Sequence, residues 1–258
     1  MDQQLPPWDD DPLSKFFWAA QYNERASSLK FESIYAVLQR VHAAFEVVKE
    51  AVAKDNQADL ERLVPRFFAI RSHSAFLAGM RLAMSLQLPE SYAVLRTAIE
   101  QAWYALHIAK DTNPPSRANL WLSRDADKDS KSKCRSEFSI GNVRSTHESF
   151  DPVTAKNLHG FYEVAIDFGG HPNEKSVFGA MARVETENET NYSVGILSFR
   201  DPVAVVAALH MAVGVAIGTL KVFQLIFPER FRILGIDAKI EVLVRDLNTV
   251  FKQSLFES

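Results

Sequence analysis

The sequence predicts a mainly α fold, an irregular helical bundle with one small β-hairpin near residues 176–199. The 258-residue chain is 47% hydrophobic, which is enough to fill a sizeable core. Its ten glycines and eleven prolines are few and stand at junctions between segments, which favours long helices over a many-stranded sandwich. Apolar residues recur every three or four positions in several segments. We expect one helical domain over residues 1–258, with a frayed tail over about 1–11.

Four helices are predicted in the first half of the chain. The first begins at Pro12 and the second covers residues 32–55. The apolar stripe of the second helix consists of Ile34, Leu38, Val41, Phe45 and Val48. The third reaches about Gln87 and contains Pro65, which should kink it or start it. The fourth covers residues 89–111 and opens on a proline, a favoured first residue of a helix.

The middle of the chain alternates short helices with polar segments. A short helix is predicted over residues 117–124, and the run "DADKDSKSKC" after it should be an exposed loop or frayed turn. Helical character resumes near Ser136. A further helix over residues 151–168 begins with Asp-Pro, and the pair Gly169-Gly170 should end it.

The last third contains the predicted hairpin and the most apolar segment. "SVFGAMARVE" and "NYSVGILSF" flank the polar "TENET", a pattern typical of two strands and a turn. A lone hairpin is marginally stable, so it should pack on the bundle or on a second subunit. An apolar helix over residues 201–227 follows, then a break at "PERFRILG". The final amphipathic helix carries its apolar face on Ile236, Ile240, Leu243, Val244, Leu247 and Phe251.

The apolar helix has the length of a membrane span, and Gly214 and Gly218 form a G-x-x-x-G pair within it. His210 lies at its middle, and it is built from alanine, valine and glycine rather than leucine and phenylalanine. We therefore predict a central bundle helix and no membrane association.

Charge and cysteine content narrow the classes of function. A net charge of -3 and a pI near 6.2 show no overall attraction to nucleic acid. The acidic start "MDQQLPPWDDDP" does not resemble a signal peptide. The single cysteine, Cys134, excludes an internal disulfide and a cysteine-rich zinc site, and it suits a reducing cytoplasm. We expect a cytoplasmic location and no cofactor.

One face of the fourth helix carries polar side chains that are candidates for a site. Arg96, Glu100, Trp103 and His107 stand at i, i+4, i+7 and i+11. Their neighbours are apolar, so the Arg96–Glu100 pair should be partly buried and hydrogen-bonded. A structural network is the favoured interpretation, and a pocket wall or a catalytic group are the alternatives.

Two other segments add candidates to this set. Trp121 and Arg124 stand three apart, so the guanidinium could stack on the indole or hold a carboxylate. His171 follows the glycine pair and is either a structural residue or a general base. No second histidine or carboxylate is found at metal-ligand spacing from His171, and the sequence is predicted to contain no metal site. Asp167 precedes His171 by four residues.

Arg66 and His73 form a second candidate site on the third helix. They stand seven apart and therefore on one helical face. An Arg–His pair of this kind binds phosphate and supplies acid–base chemistry in metal-independent RNA cleavage.

Three segments, "LRTAIEQAWYALHIAKD", "WLSR" and "FYEVAIDFGGHPNE", resemble a group of bacterial all-helical proteins with no assigned activity. The match runs from about residue 71 to residue 174. The group is distantly similar to HEPN-type helical domains of toxin–antitoxin and phage-defence systems. Many of those domains are dimeric ribonucleases with an R-x(4–6)-H motif, which the spacing of Arg66 and His73 fits. The resemblance implies a shared polar cluster made of Arg96, Glu100, Trp121, Arg124, Asp167, His171 and Asn173.

Two functions follow as hypotheses, and these residues leave open whether the protein is an enzyme. The first is a non-enzymatic helical protein that binds a small anionic ligand or a protein partner through the polar cluster. The second is a HEPN-like ribonuclease that uses Arg66 and His73 on RNA. Both hypotheses include a homodimer, because the hairpin and the flat apolar helices leave surface to cover.

Overall fold

The fold of the protein, taken from a computed structural model, is mainly α, as the sequence predicts. The structure describes residues 11–54, 59–170, 174, 181–185, 190–194, 197 and 202–257. His171, Asn173 and the predicted tail up to residue 10 lie outside the described residues.

The described residues form α-helices of very different lengths. The helices α2, α3, α4 and α9 contribute many of the buried residues of the core. The helices are α1 (Pro12–Lys30), α2 (Glu32–Ala53), α3 (Leu60–Met84), α4 (Leu88–Ala109), α5 (Ser116–Leu122), α6 (Lys128–Glu137), α7 (Ile140–Phe150), α8 (Pro152–Ala165), α9 (Pro202–Ile226), α10 (Pro228–Ile233) and α11 (Ile236–Glu257).

Two short strands lie between α8 and α9. They are β1 (Met181–Glu185) and β2 (Thr190–Val194), and they pair antiparallel with Met181 opposite Val194. They fall within the segment where the sequence predicts a hairpin. Residues 186–189 and most of the remaining segment lie outside the described residues.

Side-chain caps explain where several helices begin. The Asp11 carboxylate accepts hydrogen bonds from the backbone N–H groups of Leu13 and Ser14, and Pro12 opens α1. Asp11 is thus an ordered cap rather than part of the predicted frayed tail. The Asp151 carboxylate accepts from the Thr154 N–H at 3.0 Å, ahead of the Asp-Pro start of α8.

Two predicted boundaries were wrong. The polar run after α5 is not a loop throughout, because Asp127 accepts a hydrogen bond from the Ser130 N–H and starts α6. The predicted break at 228–235 contains the short helix α10, and the turn to α11 comes only at Gly235, whose φ is +63°. Of the two alternatives for Pro65, the helix start is excluded, because Pro65 lies inside α3.

The helices α3 and α4 pack against each other along their lengths and form the centre of the core. Only three residues, 85–87, connect them. A Cβ atom at Gly79 would lie 2.7 Å from Leu95 Cγ, so glycine allows the two backbones to approach. Trp103, Leu106 and Ile108 of α4 are fully buried.

The apolar helix α9 is the central helix that its composition predicts. It is long and apolar enough to cross a membrane by length and hydropathy alone, with a mean hydropathy of 2.2 over its most apolar window. However, 72% of that window is buried inside the protein. A helix that is apolar all round and packed on all sides is typical of a bundle core.

The G-x-x-x-G pair of α9 is a close crossing point with α8. A Cβ at Gly218 would lie 2.5 Å from Leu158 Cδ2, and Leu158 is itself fully buried. We expect Gly218→Ala to lower the free energy of unfolding by about 1–3 kcal/mol, because the crossing becomes overpacked.

Gly160→Ala on α8 is the matched control, since a Cβ there meets nothing within 4 Å. It should be neutral or stabilising by up to about 1 kcal/mol. Urea unfolding of the two variants tests both values, and equal losses would contradict the crossing.

The end of α8 differs from the prediction that the glycine pair stops the helix. The chain continues past α8 as a π-helical turn, Ile166–Gly170. A Cβ at Gly169 would lie 2.4 Å from the Pro89 carbonyl oxygen, so this turn rests directly on the first turn of α4. Such π-helical turns are common at functional sites. This contact places the end of α8 beside the polar face of α4.

Candidate functional site

Arg96 and Glu100 meet on α4 as an ion pair. Arg96 Nε lies 3.3 Å from Glu100 Oε1, and the two side chains are 27% and 31% exposed. Arg96 Nε is nevertheless buried and makes no hydrogen bond. The pair is therefore not fully solvated, and it is not a buried pair in which every polar atom has a hydrogen-bond partner.

Tyr162 of α8 contacts both members of this pair, although it was not among the predicted site residues. Its hydroxyl hydrogen-bonds the Glu100 carboxyl, and the Arg96 guanidinium carbon lies 6.0 Å from the centre of its ring. Burial raises the pKa of Glu100, while Arg96 and the Tyr162 hydrogen bond act in the opposite direction. Burial and the nearby Glu100 carboxyl also raise the pKa of Tyr162. We call Arg96, Glu100 and Tyr162 the α4–α8 cluster.

The other two polar-face residues of α4 turn into the protein interior. Trp103 is fully buried, and its Nε1 donates a 3.0 Å hydrogen bond to His147 Nδ1. His107 is 2% exposed, and its ring nitrogens lie 2.7 Å from Thr146 Oγ1 and 3.1 Å from Glu137 Oε1. Both are structural contacts that hold α4 against α6 and α7.

Trp121 and Arg124 do not stack on each other among the described contacts. Trp121 packs edge-on against Phe68, with ring centres 4.9 Å apart. Arg124 is about half exposed, and its nearest carboxylate is that of Asp125 at 3.9 Å. Arg124 and Glu100 both lie close enough to Tyr104 to change the pKa of its hydroxyl. Burial raises this pKa most, Glu100 raises it further, and Arg124 lowers it. Arg124 thus flanks the α4–α8 cluster without joining it.

Asp167 lies half-buried in the π-helical turn, next to α4. His171, four residues later, and Asn173 lie outside the described residues. Membership of this segment in one polar cluster with Arg96 and Glu100 therefore stays a prediction, supported by the close approach of Gly169 to α4.

Arg66 and His73 do not meet the requirements of the ribonuclease hypothesis. That hypothesis needs both side chains exposed in a basic cleft, but they are 5% and 4% exposed. The His73 ring stacks on Phe45, with centres 4.7 Å apart and planes 4° from parallel. Burial, followed by the neighbouring His42, lowers the pKa of His73 to about 4. Substrate phosphate has no access to either side chain in this arrangement.

A group of polar side chains joins α2 to α3, and the sequence analysis missed it. His42 and Glu46 of α2 approach His73 of α3, and His42 Nδ1 lies 3.0 Å from His73 Nε2. The available signal was the i, i+4 spacing of His42 and Glu46 in "HAAFE", which places both on one face. The partner on α3 is 31 residues away and had no local signal.

The fold and these contacts define a mainly α protein with a half-buried Arg–Glu–Tyr cluster where a π-helical turn meets α4. No protein-family model, no curated protein and no solved structure matches the chain. The resemblance to HEPN-type domains therefore stays a prediction, and function must be argued from the side chains themselves.

Proposed function

We propose that this is a non-enzymatic helical protein that binds a small anionic ligand at the α4–α8 cluster. The observation that carries the proposal is the Arg96 guanidinium, whose side chain is 27% exposed and pairs with Glu100, while its buried Nε makes no hydrogen bond with the described residues. Guanidinium groups recognise carboxylates and phosphates through paired N–H donors.

The other two members of the cluster suit recognition of an anion. The Tyr162 ring centre lies 6.0 Å from the Arg96 guanidinium carbon, and the Tyr162 hydroxyl hydrogen-bonds the Glu100 carboxyl. Because burial raises the pKa of Glu100, this carboxyl takes up a proton more readily than an exposed one. A protonated Glu100 would donate a hydrogen bond to the anion instead of repelling it. Binding should therefore tighten as the pH falls toward the pKa of Glu100.

Arg96→Gln is expected to weaken anion binding by at least about tenfold, the loss of one charge-assisted hydrogen bond. Isothermal titration of the purified protein with inorganic phosphate and with succinate measures this loss. The NMR resonance of the Arg96 Nε–Hε group should shift with the same anions.

Arg144→Gln is the matched control for this experiment. Arg144 also pairs with a glutamate one turn later, Glu148 at 2.9 Å, on α7, which contributes no residue to the cluster. Its substitution should leave the affinity unchanged. Equal weakening by both substitutions, or no response to either anion, would contradict the proposal.

The proposal retains the predicted homodimer and cytoplasmic location. The outer face of α1 supports an interface, because Trp18 and Tyr22 are 59% and 60% exposed and stack on each other with centres 5.6 Å apart. Leu13 and Phe17 of the same helix are also exposed. Sedimentation equilibrium should give twice the chain mass of 29.0 kDa. A protein partner at the α4–α8 cluster remains the other binding hypothesis.

RNA cleavage is not proposed, because both side chains that it requires are buried.

A further inference from the structure

The facing surfaces of α2 and α3 bring together three side chains of the kinds that bind transition metals. His42 and Glu46 stand one turn apart on α2, and His73 faces them from α3. One ligand atom from each lies within 4.8 Å of the others. His73 Nδ1 lies 3.8 Å from Glu46 Oε1, and its Nε2 lies 3.0 Å from His42 Nδ1.

His73 is held in place before any ligand arrives. Its ring lies parallel to Phe45 and also stacks on Phe76, with centres 6.4 Å apart. His42 and Glu46 are partly exposed, so an ion can enter from their side. A fixed buried imidazole beside two accessible ligands is the arrangement expected of a preorganised metal site.

The two imidazoles are close enough to share a hydrogen bond, and a small shift would allow them to share a divalent ion instead. Two nitrogen ligands of a tetrahedral zinc ion, each about 2.0–2.1 Å from the ion, lie about 3.3–3.4 Å apart. The 3.0 Å between His42 Nδ1 and His73 Nε2 is a few tenths of an ångström shorter, so the partly exposed His42 side chain would have to move slightly outward. The Glu46 carboxylate must move toward them and leave Lys49, with which it forms an ion pair. That pair is 38–40% exposed and therefore contributes little.

We propose that His42, Glu46 and His73 form a binding site for a divalent transition metal ion of the zinc class. Two imidazoles and one carboxylate are a ligand set that zinc, cobalt and ferrous iron accept. Three protein ligands leave a coordination position for water or another small ligand. The site is separate from the α4–α8 cluster and goes beyond the proposed function.

Titration of metal-free protein with Zn²⁺ alone tests the site. We expect saturable binding of one ion per chain by isothermal titration calorimetry. Co²⁺ should give the visible absorption bands of a low-symmetry site with nitrogen and oxygen ligands. His42→Ala and Glu46→Gln should each weaken Zn²⁺ binding by at least about tenfold, the range seen when metal-site residues are removed. Both side chains are partly exposed, so the variants should fold, and far-ultraviolet circular dichroism verifies this.

His159→Ala is the matched control. His159 and Glu163 repeat the His-x-x-x-Glu spacing on α8, with Nδ1 and Oε1 3.6 Å apart, but Arg144 occupies His159 Nε2. This variant should bind Zn²⁺ as the unaltered protein does. The proposal is overturned if the protein binds no Zn²⁺ at micromolar concentrations, if His42→Ala binds normally, or if His159→Ala loses as much affinity as His42→Ala.

Discussion

Replacing Trp103 with alanine is expected to lower the free energy of unfolding by about 3–5 kcal/mol. Trp103 is fully buried at the centre of α4, and its ring lies 5.4 Å from that of Tyr162. Its removal would leave a cavity between α4, α7 and α8, because close-packed neighbours collapse only in part. The indole N–H also supplies the hydrogen bond to His147.

Trp103→Phe separates the two contributions. Phenylalanine keeps most of the apolar volume but leaves His147 Nδ1 without its donor. We expect this variant to lose about 1–3 kcal/mol, the cost of a buried polar atom without a partner. Urea unfolding followed by circular dichroism measures both values. A loss below about 1 kcal/mol for Trp103→Ala would be typical of an exposed position and would contradict the packing described above.

Acidification is expected to destabilise the protein between about pH 6.5 and pH 4. Burial lowers the pKa of His147 from 6.5 to about 4, and the nearby Asp151 and Glu148 offset this only in part. In this pH window the unfolded chain binds a proton at His147 that the folded protein does not bind. The stabilisation is therefore present above pH 6.5 and is lost as the pH falls, by about 3 kcal/mol in total.

His147→Asn is designed to remove the contribution of His147 to this dependence without removing the hydrogen bond. The contribution of His73, whose pKa is also lowered to about 4, stays in both proteins. The asparagine oxygen can accept from the Trp103 indole N–H near the position of His147 Nδ1. Unfolding free energies measured from pH 7 to pH 4.5 should fall less steeply in this variant than in the unaltered protein. Carboxylates such as Asp151, whose pKa is lowered, lose their contribution mainly below this window. Equal slopes for the two proteins would show that His147 does not titrate as described.

Sequence patterns located most of the helices because those patterns are local. The spacing of apolar residues predicts the buried stripe of α2, and the apolar composition of α9 predicts a buried helix. Both helices are buried as these patterns predict. The helix α6 was missed because its only strong signal is the Asp127 cap in a polar run. A short polar helix has no apolar stripe, and its stability depends on neighbours that spacing does not reveal.

In the candidate sites too, contacts within one helix could be predicted and contacts between helices could not. The contact of Arg96 with Glu100 follows from i, i+4 spacing, but Tyr162 joins them from α8, 62 residues further along the chain than Glu100. Arg66 and His73 stand seven apart on α3, yet both are buried, and α2 covers His73 through Phe45. Spacing tells which residues are neighbours on one helix but does not tell what covers them.

The sequence alone determined that this protein is mainly α, that α9 is its central helix, and that polar side chains line one face of α4. Only the tertiary structure decided that His73 is buried and meets His42 and Glu46, and that Tyr162 completes the α4–α8 cluster. The physical reason is that helix periodicity arises from interactions within four residues, whereas contacts between helices depend on where close approach at glycines such as Gly79 and Gly218 lets the helices cross.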